Sequence, residues 1–451
     1  MRRPGSPLQR LRKNRSGADG FTIVELMLAI FVLAVMMSAV AAALGTAMRV
    51  SRGNTNRIVA ANLASEQLDL MREDASQDFN TVTALLGQST VTRTVKNVPY
   101  TITRDLTWVT GSANSSPCDG SGSATNAYVR ATIEVTWSNL SGVKPVLSQT
   151  VIAPPVGVYD PNSGNAGVKV LSAAGLPQEN IRVDLTGPGG AEPTQYTTTA
   201  GCAFFAFLAP GTYTATVSAP GYADLQGAVT PSKALGVNIA VTTNFGFTYD
   251  LLGGLNATFR PLLNKTGPVY GGTVPNNTPL TLFNSGFQPT GIKVFPGTGP
   301  TRSIPSLFPF TGGYIAWGGS CLDADPEQFA PPSGLRPPAL PVPPGVTATG
   351  DVALPAKPLH VRAGGLLDLP GAHLTLYHIA DSGCPAATGP GQTMTYDATV
   401  VTDSTGRVTL AAPYGTWTVQ VDGRSPLSAW PTITLSPLDA QPRAEINVDV
   451  V

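Results

Sequence analysis

The chain has 451 residues, of which 12% are charged, and its 28 basic and 28 acidic side chains give a formal net charge of zero. A neutral chain lacks the basic excess that binding to nucleic-acid phosphates requires. A hydrophobic content of 42% excludes a disordered chain. With 48 Gly and 41 Pro, the composition predicts a turn-rich, mostly β protein of about three or four domains.

The N-terminal segment separates charge from apolar sequence. Residues 1–20 hold six basic side chains against Asp19 alone, a net charge of +5, so that the remainder carries −5. From Leu26 to Met48 no residue is charged. As a helix, this stretch would be about 35 Å long, enough to cross a bilayer core of about 30 Å. We therefore predict a single-pass membrane protein with a cytoplasmic N-terminus and an extracellular C-terminal region.

Two ordinary explanations of this segment are less satisfactory. A secretory signal peptide has a shorter apolar core followed by small residues, whereas Arg49 and Arg52 follow this one. A plain membrane anchor does not explain Glu25, because a carboxylate at the edge of an apolar helix is costly and usually has a partner.

The residues Gly20-Phe21-Thr22-Ile23-Val24-Glu25-Leu26 resemble the processing signal of type IV pilins and type II secretion pseudopilins. The resemblance implies that a prepilin peptidase cuts between Gly20 and Phe21 and that Phe21 becomes the methylated N-terminus. The free amine of Phe21 and the Glu25 carboxylate of a neighbouring subunit could then neutralise each other in apolar surroundings.

The helical pattern is expected to continue past the membrane as a stem over residues 21–80. Ile58, Ala61, Leu68 and Met71 recur at helical spacing among charged residues. This pattern is similar to the amphipathic half of a pilin stem, and it is also typical of a core-facing helix. Both interpretations can hold, since a pilin stem packs on its own head.

From residue 81 the pattern changes to that of β-strands. Residues 100–109 and 129–137 alternate and are rich in β-branched and aromatic side chains, and residues 110–126 between them read as a long polar loop. We predict a small pilin-like antiparallel head over 81–155, which ends at Pro154-Pro155.

Beyond the head, one signature occurs three times. A Pro/Gly turn leads into an alternating strand at 208–217, 308–317 and 412–421, with aromatic residues Tyr213, Tyr314 and Trp417 about 100 residues apart. An upstream strand recurs with nearly the same period at 183–186, 280–283 and 374–377. The two markers predict three tandem modules over 156–247, 248–350 and 351–451, of which the middle one is the most degenerate.

Each module has the strand spacing of a β-sandwich, and alternation places Tyr213, Ala215 and Val217 on one face. With Gly221-Tyr222, the first copy resembles carboxypeptidase-regulatory-like, transthyretin-like domains. The resemblance implies a seven-stranded spacer or binding platform without catalytic residues. The predicted fold class is α+β and mostly β: a long transmembrane and stem helix, a small head and about three sandwiches.

Four cysteines, Cys118, Cys202, Cys321 and Cys384, lie in the exported region, where an even number favours disulfides. Three connectivities are possible, and free buried thiols are the alternative. We favour 118–202 and 321–384, because each pair would join neighbouring modules.

Catalytic and metal-binding patterns are weak. The only histidines are His360, His373 and His378, and the odd spacing of the last two puts them on opposite faces of a strand. Residues 322–327 carry three carboxylates but lack the ligand set of a known calcium loop. Since no nucleophile or phosphate-loop motif is present, we predict no enzyme activity, no cofactor and no metal.

The best interpretation is a minor pilin or pseudopilin that polymerises through its helix. It predicts as partners the membrane, the peptidase, other pilin subunits and an assembly platform. The alternative is a surface adhesin for an extracellular glycan or protein, anchored by the pilin stem; an exported enzyme is a weaker third reading. No nucleic-acid partner is expected.

Overall fold

The structure is a computed structural model, and it describes residues 22–110, 116–119, 127–138, 144–154, 162–263, 271–320, 324–329, 336–379, 393–436 and 444–451. The chain divides into two compact units. The first comprises residues 1–106 and 130–152, and the second comprises residues 107–129 and 153–451. The fold is mostly β with a long N-terminal helix, which confirms the predicted fold class.

The first unit is built on α1 (Ile23–Gln77), a single helix of 55 residues. Its first half exposes apolar side chains, whereas its second half buries a face at helical spacing, formed by Ala60, Leu63, Ala64, Gln67, Leu68, Met71 and Ala75. Leu68 and Met71 belong to the predicted apolar face, but Ile58 is 62% exposed. The prediction for Ile58 was therefore wrong: it lies on another side of the helix, because the buried face is centred on Ala64 and Gln67.

The head follows after a short helix, α2 (Phe79–Thr83). Its sheet has the order β1-β2-β3-β4, with strands β1 (Gly87–Val95), β2 (Val98–Thr110), β3 (Ala127–Trp137) and β4 (Val146–Ile152). A turn at Lys96-Asn97, both at positive φ, joins β1 and β2 as an antiparallel hairpin. Strand β3 buries every second residue along its whole length, as the alternation predicted.

The second unit contains the remaining strands. Those of its first part are β5 (Gly164–Leu171), β6 (Arg182–Gly187), β7 (Gly190–Ala191), β8 (Gln195–Tyr196), β9 (Cys202–Leu208), β10 (Gly211–Ser218), β11 (Tyr222–Asp224), β12 (Ser232–Val237) and β13 (Thr242–Leu251). Those of its middle part are β14 (Gly253–Leu262), β15 (Leu280–Phe283), β16 (Ile292–Phe295), β17 (Thr301–Leu307) and β18 (Ile315–Gly318), with a 3-10 helix at Pro326–Phe329. Those of its last part are β19 (Thr347–Ala363), β20 (Leu367–Asp368), β21 (His373–Ile379), β22 (Thr393–Val401), β23 (Arg407–Ala411), β24 (Gly415–Val421), β25 (Thr432–Leu435) and β26 (Ile446–Val450).

One pairing scheme recurs three times in these strands. The first strand of each part pairs in parallel with the strand that closes the part, as β5 with β13, β14 with β19, and β19 with β26. Strand β19 therefore closes the middle part and opens the last one. On its other side, the first strand of each part pairs antiparallel, as β5 with β9, β14 with β17, and β19 with β23. Three separate clusters of buried side chains lie within residues 166–249, 255–411 and 359–450. The repeat seen in the sequence therefore corresponds to a repeat of topology.

The two repeated sequence markers lie side by side in all three parts. The upstream strand pairs antiparallel with the signature strand as β6 with β10, β15 with β18, and β21 with β24. Tyr213, Ala215 and Val217 are all buried on one face, as predicted.

The repeated aromatic residue anchors the turn before its strand. Tyr213 Oη donates to the Ala209 carbonyl at 3.0 Å, and Trp417 Nε1 donates to the Pro413 carbonyl at 2.8 Å. Tyr314 Oη donates to the Phe308 carbonyl at 2.5 Å. Each ring is almost fully buried, so the polar tip needs a partner. Burial raises the pKa of Tyr213 and of Tyr314.

Strand β19 belongs to two parts at once. Its first half, through Pro355, pairs with β14, and its second half pairs with β23 from Ala356 and with β26 from Leu359. Proline lacks the N–H that the hydrogen-bond ladder of a sheet needs. Pro355 lies at the point where β19 changes its pairing from β14 to β23, so its missing N–H interrupts neither ladder in the middle. The predicted boundary at 350/351 thus lies inside a continuous strand.

Candidate functional site

The candidate site is the N-terminal helix, starting at its cap. Thr22 is the N-cap of α1, and its Oγ1 accepts a hydrogen bond from the Glu25 backbone N at 3.3 Å. Glu25 stands at the third helical position, where a carboxylate is favoured by the helix dipole. Thr22-x-x-Glu25 is a capping-box pattern, a signal that could have been read in the sequence beside the processing motif. Gly20 and Phe21 lie outside the described residues.

Past the cap, α1 is the one helix among the described residues that is long and apolar enough to cross a membrane. No residue of its most apolar 18-residue stretch is buried. Large apolar side chains such as Phe31 and Met37 are each more than 60% exposed. A surface of this kind is not stable in water and requires a bilayer or other helices around it.

The second half of α1 is fixed to the head by polar contacts as well as by its apolar face. Glu66 forms an ion pair with Arg93 of β1 at 2.6 Å, and the buried Gln67 accepts from Arg104 of β2 at 2.5 Å. Arg72 Nη2 donates to Thr150 Oγ1 of β4 at 2.7 Å. The helix is therefore held by three strands of the head. The spacing of apolar residues along the helix did not indicate these polar contacts.

In the second unit, Cys118 and Cys202 form a disulfide with a Cα–Cα distance of 5.8 Å. This is the first of the two predicted pairs, whereas Cys321 and Cys384 lie outside the described residues. Asp119 forms an ion pair with Lys169 at 2.5 Å. The segment around Cys118, predicted as a loop of the head, therefore groups with the second unit.

The histidines make local contacts. His360 Nε2 lies 2.7 Å from Asp368 Oδ1, and His378 Nδ1 lies 2.9 Å from the Thr416 carbonyl. His373 and His378 both lie on β21. Within the part of the chain that the structure describes, no group of three or more His, Cys, Asp or Glu residues is arranged to hold a metal ion.

Two carboxylates of the acidic segment 322–327 form ion pairs with an arginine. The fully buried Asp325 carboxylate forms an ion pair with Arg336 at 2.5 Å, and Glu327 binds the same guanidinium at 2.9 Å. The Arg336 guanidinium also stacks on the Phe283 ring, 4.1 Å from its centroid. Asp325 and Glu327 are two of the three carboxylates considered as a calcium site, and they hold Arg336 in place. The third, Asp323, lies outside the described residues.

Residues 15–41 match the family model of the prokaryotic N-terminal methylation motif. The match includes the predicted cleavage position and the first part of α1. The resemblance to type IV pilins at this end of the chain is confirmed, and the chain carries the methylation motif. The resemblance to carboxypeptidase-regulatory-like domains stays a prediction. Comparison with curated protein sequences gave no match.

Among solved structures, the chain is similar to the Bacillus anthracis TIE protein, at 12% identity and a TM-score of 0.20, covering 81% of this chain and 73% of that one. It is similar to a streptococcal ancillary pilin at 10% identity and a TM-score of 0.19, covering 85% and 87%. It is also similar to BcpA, the major pilin subunit of Bacillus cereus, at 10% identity and a TM-score of 0.19, covering 64% and 99%. Similarities of this size carry no argument about function.

Proposed function

We propose that the protein is a minor pilin or pseudopilin subunit, cleaved after Gly20, that assembles through its N-terminal helix into a type IV pilus or secretion fibre. It acts by assembly and not by catalysis, and it displays its β modules outside the cell. One observation carries the proposal: the methylation motif at 15–41 opens an unbroken helix that is exposed and apolar at one end and packed on a head at the other.

The two halves of α1 fit the two environments that such a subunit would meet. Before assembly, the uncharged stretch 26–48 would lie in the bilayer, with the basic leader on the cytoplasmic side. In a fibre, the same side chains would pack against the helices of other subunits, which replaces lipid contact without exposing them to water. The second half needs no such partner, because its buried face already contacts the head.

The exposed stem also offers a side for close packing. Ala43 and Ala47, four residues apart, lie with Val50 along one exposed side of α1. Small side chains at this spacing let helices approach closely.

Glu25 is the residue that we expect to fix the register between subunits. Its side chain is exposed. After cleavage, a neighbouring subunit would offer the cationic amine of Phe21. Pairing would leave neither charge isolated among apolar side chains.

The size of the exported region argues for a minor subunit. Residues 164–450 form three topological repeats, and heads of this bulk on every subunit would keep stems apart that must touch. Quantitative mass spectrometry of purified fibres should find this protein at low stoichiometry. Fibres in which it is the dominant component would contradict the minor role.

Processing can be tested at Gly20. In cells with an active prepilin peptidase, mass spectrometry of the mature protein should find an N-methylated Phe21 at its N-terminus. Gly20→Val should leave the leader attached, and Gly17→Val, the same change three residues upstream, should be processed normally. An intact leader on the unaltered protein would rule out the proposal.

Assembly can be tested at Glu25 separately from processing. Glu25→Gln keeps the size and hydrogen-bonding capacity of the side chain but removes its charge, so we expect normal cleavage and a loss of incorporation into sheared fibres. Glu73→Gln makes the same change on the exposed second half of α1 and should assemble normally. Equal incorporation of both variants would show that the Glu25 charge does not direct assembly.

A further inference from the structure

The middle part of the second unit carries a short proline-rich segment on its surface, residues 336–345, with the sequence Arg-Pro-Pro-Ala-Leu-Pro-Val-Pro-Pro-Gly. We infer that this segment is a preformed polyproline II ridge that binds an aromatic-lined groove of a partner protein. The inference goes beyond assembly through the stem and does not depend on it.

The sequence of the segment favours extended conformations as far as Pro343, and Pro344 and Gly345 form a turn. Proline fixes its own φ near the polyproline II value, and a residue that precedes proline is excluded from the helical region. Together these two effects restrict all but one residue, Ala339, between Arg336 and Pro344. None of the five prolines follows a cis peptide bond.

One edge of the segment is exposed along its whole length, since a polyproline II helix repeats every three residues, and Ala339 and Pro343 on the other two edges are exposed as well. Pro338, Pro341 and Pro344 are all exposed, and a spacing of three puts their rings along one edge, which we call the outer edge. Val342 is 3% exposed and points inward. Leu340 is half-buried and exchanges two backbone hydrogen bonds with Tyr314, at 2.7 and 2.9 Å.

The rest of the module is shaped to hold the segment closely. A Cβ added at Gly313 would lie 2.5 Å from the Leu340 carbonyl oxygen, and one at Gly350 would lie 2.7 Å from the Leu340 Cδ atoms. A Cβ at Gly253 would overlap the Pro343 carbonyl oxygen. The absence of side chains at these three positions lets neighbouring backbone approach the segment.

Arg336 secures the N-terminal end. Its guanidinium is engaged by Asp325 and Glu327 and stacked on Phe283. A ridge fixed at one end by this ion pair and in the middle by Val342 has little conformational entropy left to lose on binding. Because the arginine is already engaged, recognition would depend on the proline rings and not on a charged anchor.

These properties define the kind of partner. Exposed prolines spaced by three residues, about 9 Å apart, match the grooves between aromatic side chains that bind polyproline II segments. From Pro338 to Pro344 the outer edge is about 19 Å long. A partner with parallel aromatic side chains on its surface could contact all three rings without changing the conformation of the ridge.

The test uses the full-length protein in detergent micelles and two probes, a purified WW domain and a purified SH3 domain. Both bind proline-rich segments through aromatic grooves. We expect at least one probe to bind saturably, and we expect the outer-edge variant Pro338→Ala/Pro341→Ala to weaken binding by about tenfold or more.

The matched control is Pro337→Ala/Pro343→Ala, which removes two prolines from a different edge of the same segment. It should weaken binding by less than about twofold. Both variants change the unfolded chain equally, and equal thermal midpoints would show that neither has lost its fold. Absence of binding by both probes, or equal weakening by both variants, would overturn the inference. Loss of self-association in the outer-edge variant alone would instead identify a second copy as the occupant and would also overturn it.

Discussion

Replacing Cys118 and Cys202 together by alanine should destabilise the first part of the second unit by several kcal/mol. The disulfide links residues 84 positions apart in sequence. The chain-entropy model for a loop of this length gives about 4–5 kcal/mol, from the greater freedom of the unfolded chain without the link. Both sulfur-bearing residues are buried, so the loss of packing adds to the cost.

The assay is urea unfolding of the full-length protein in detergent, with hydrogen exchange of residues 164–251 as the local readout. With a urea dependence of about 2 kcal/mol per M, the loss corresponds to a fall of about 2 M in the unfolding midpoint. The double variant is preferable to chemical reduction, because it leaves Cys321 and Cys384 unchanged.

Asp119→Asn is the matched control on the same segment. It removes the ion pair with Lys169, but Asp119 is 48% exposed, so this change should cost less than about 1 kcal/mol. If the alanine variant unfolds at the same urea concentration as the unaltered protein, the disulfide does not constrain this part of the second unit. If the two variants are equally destabilised, the ion pair would explain the effect as well as the covalent link.

Three further predictions concern single contacts. Arg336→Leu leaves the buried Asp325 without its cation and should lower the free energy of unfolding by about 3 kcal/mol, measured by urea denaturation. Tyr213→Phe removes the hydrogen bond to Ala209 and should cost about 1 kcal/mol, seen as a lower thermal midpoint. Hydrogen bonds from the Arg407 backbone, then from the Thr405 side chain and backbone, hold the pKa of Asp403 below its usual value. A carboxyl group whose pKa is lowered by folding stabilises the protein above its unfolded pKa of about 4, and this stabilisation is lost as the pH falls through the folded pKa. Asp403→Ala should therefore show a smaller fall in thermal midpoint on acidification, and an unchanged fall would contradict this role.

The sequence predicted well those features that depend on local pattern. Alternation identified the buried face of β10 because it reflects the side-chain period of a single strand, and the uncharged stretch identified the exposed half of α1 through its composition alone. The paired recurrence of two markers also indicated the three repeats. In the structure, these markers are neighbouring strands, so they recur together for a physical reason.

Features that depend on distant pairing were not predictable in the same way. A strand's alternation shows which side is buried but not which strand lies beside it, so the parallel pairing of β5 with β13 left no local signal. Pro355 and Pro358 would normally argue against a continuous strand. Strand β19 accommodates Pro355 because that residue lies where its partners change.

At the candidate site, the motif around Gly20 was readable because processing depends on a short contiguous sequence. The partner of Cys118 was one of three possibilities, since a covalent link over 84 residues depends on the fold and not on spacing. Ile58 shows a related limit. Helical spacing in the sequence identified Ile58 as an apolar residue of the stem. Which side of the stem is buried depends on where the head packs, and the sequence does not show this.

The parallel pairing of first and last strands has a mechanical consequence. When the two ends of such a module are pulled apart, the paired strands are drawn past each other along their length. The hydrogen bonds between them are then loaded together in shear and cannot open one after another. With β14 following directly on β13, and β19 shared between two parts, tension on the chain passes from one sheared pair to the next. The repeats are thus connected in a way suited to carrying load along an extended assembly.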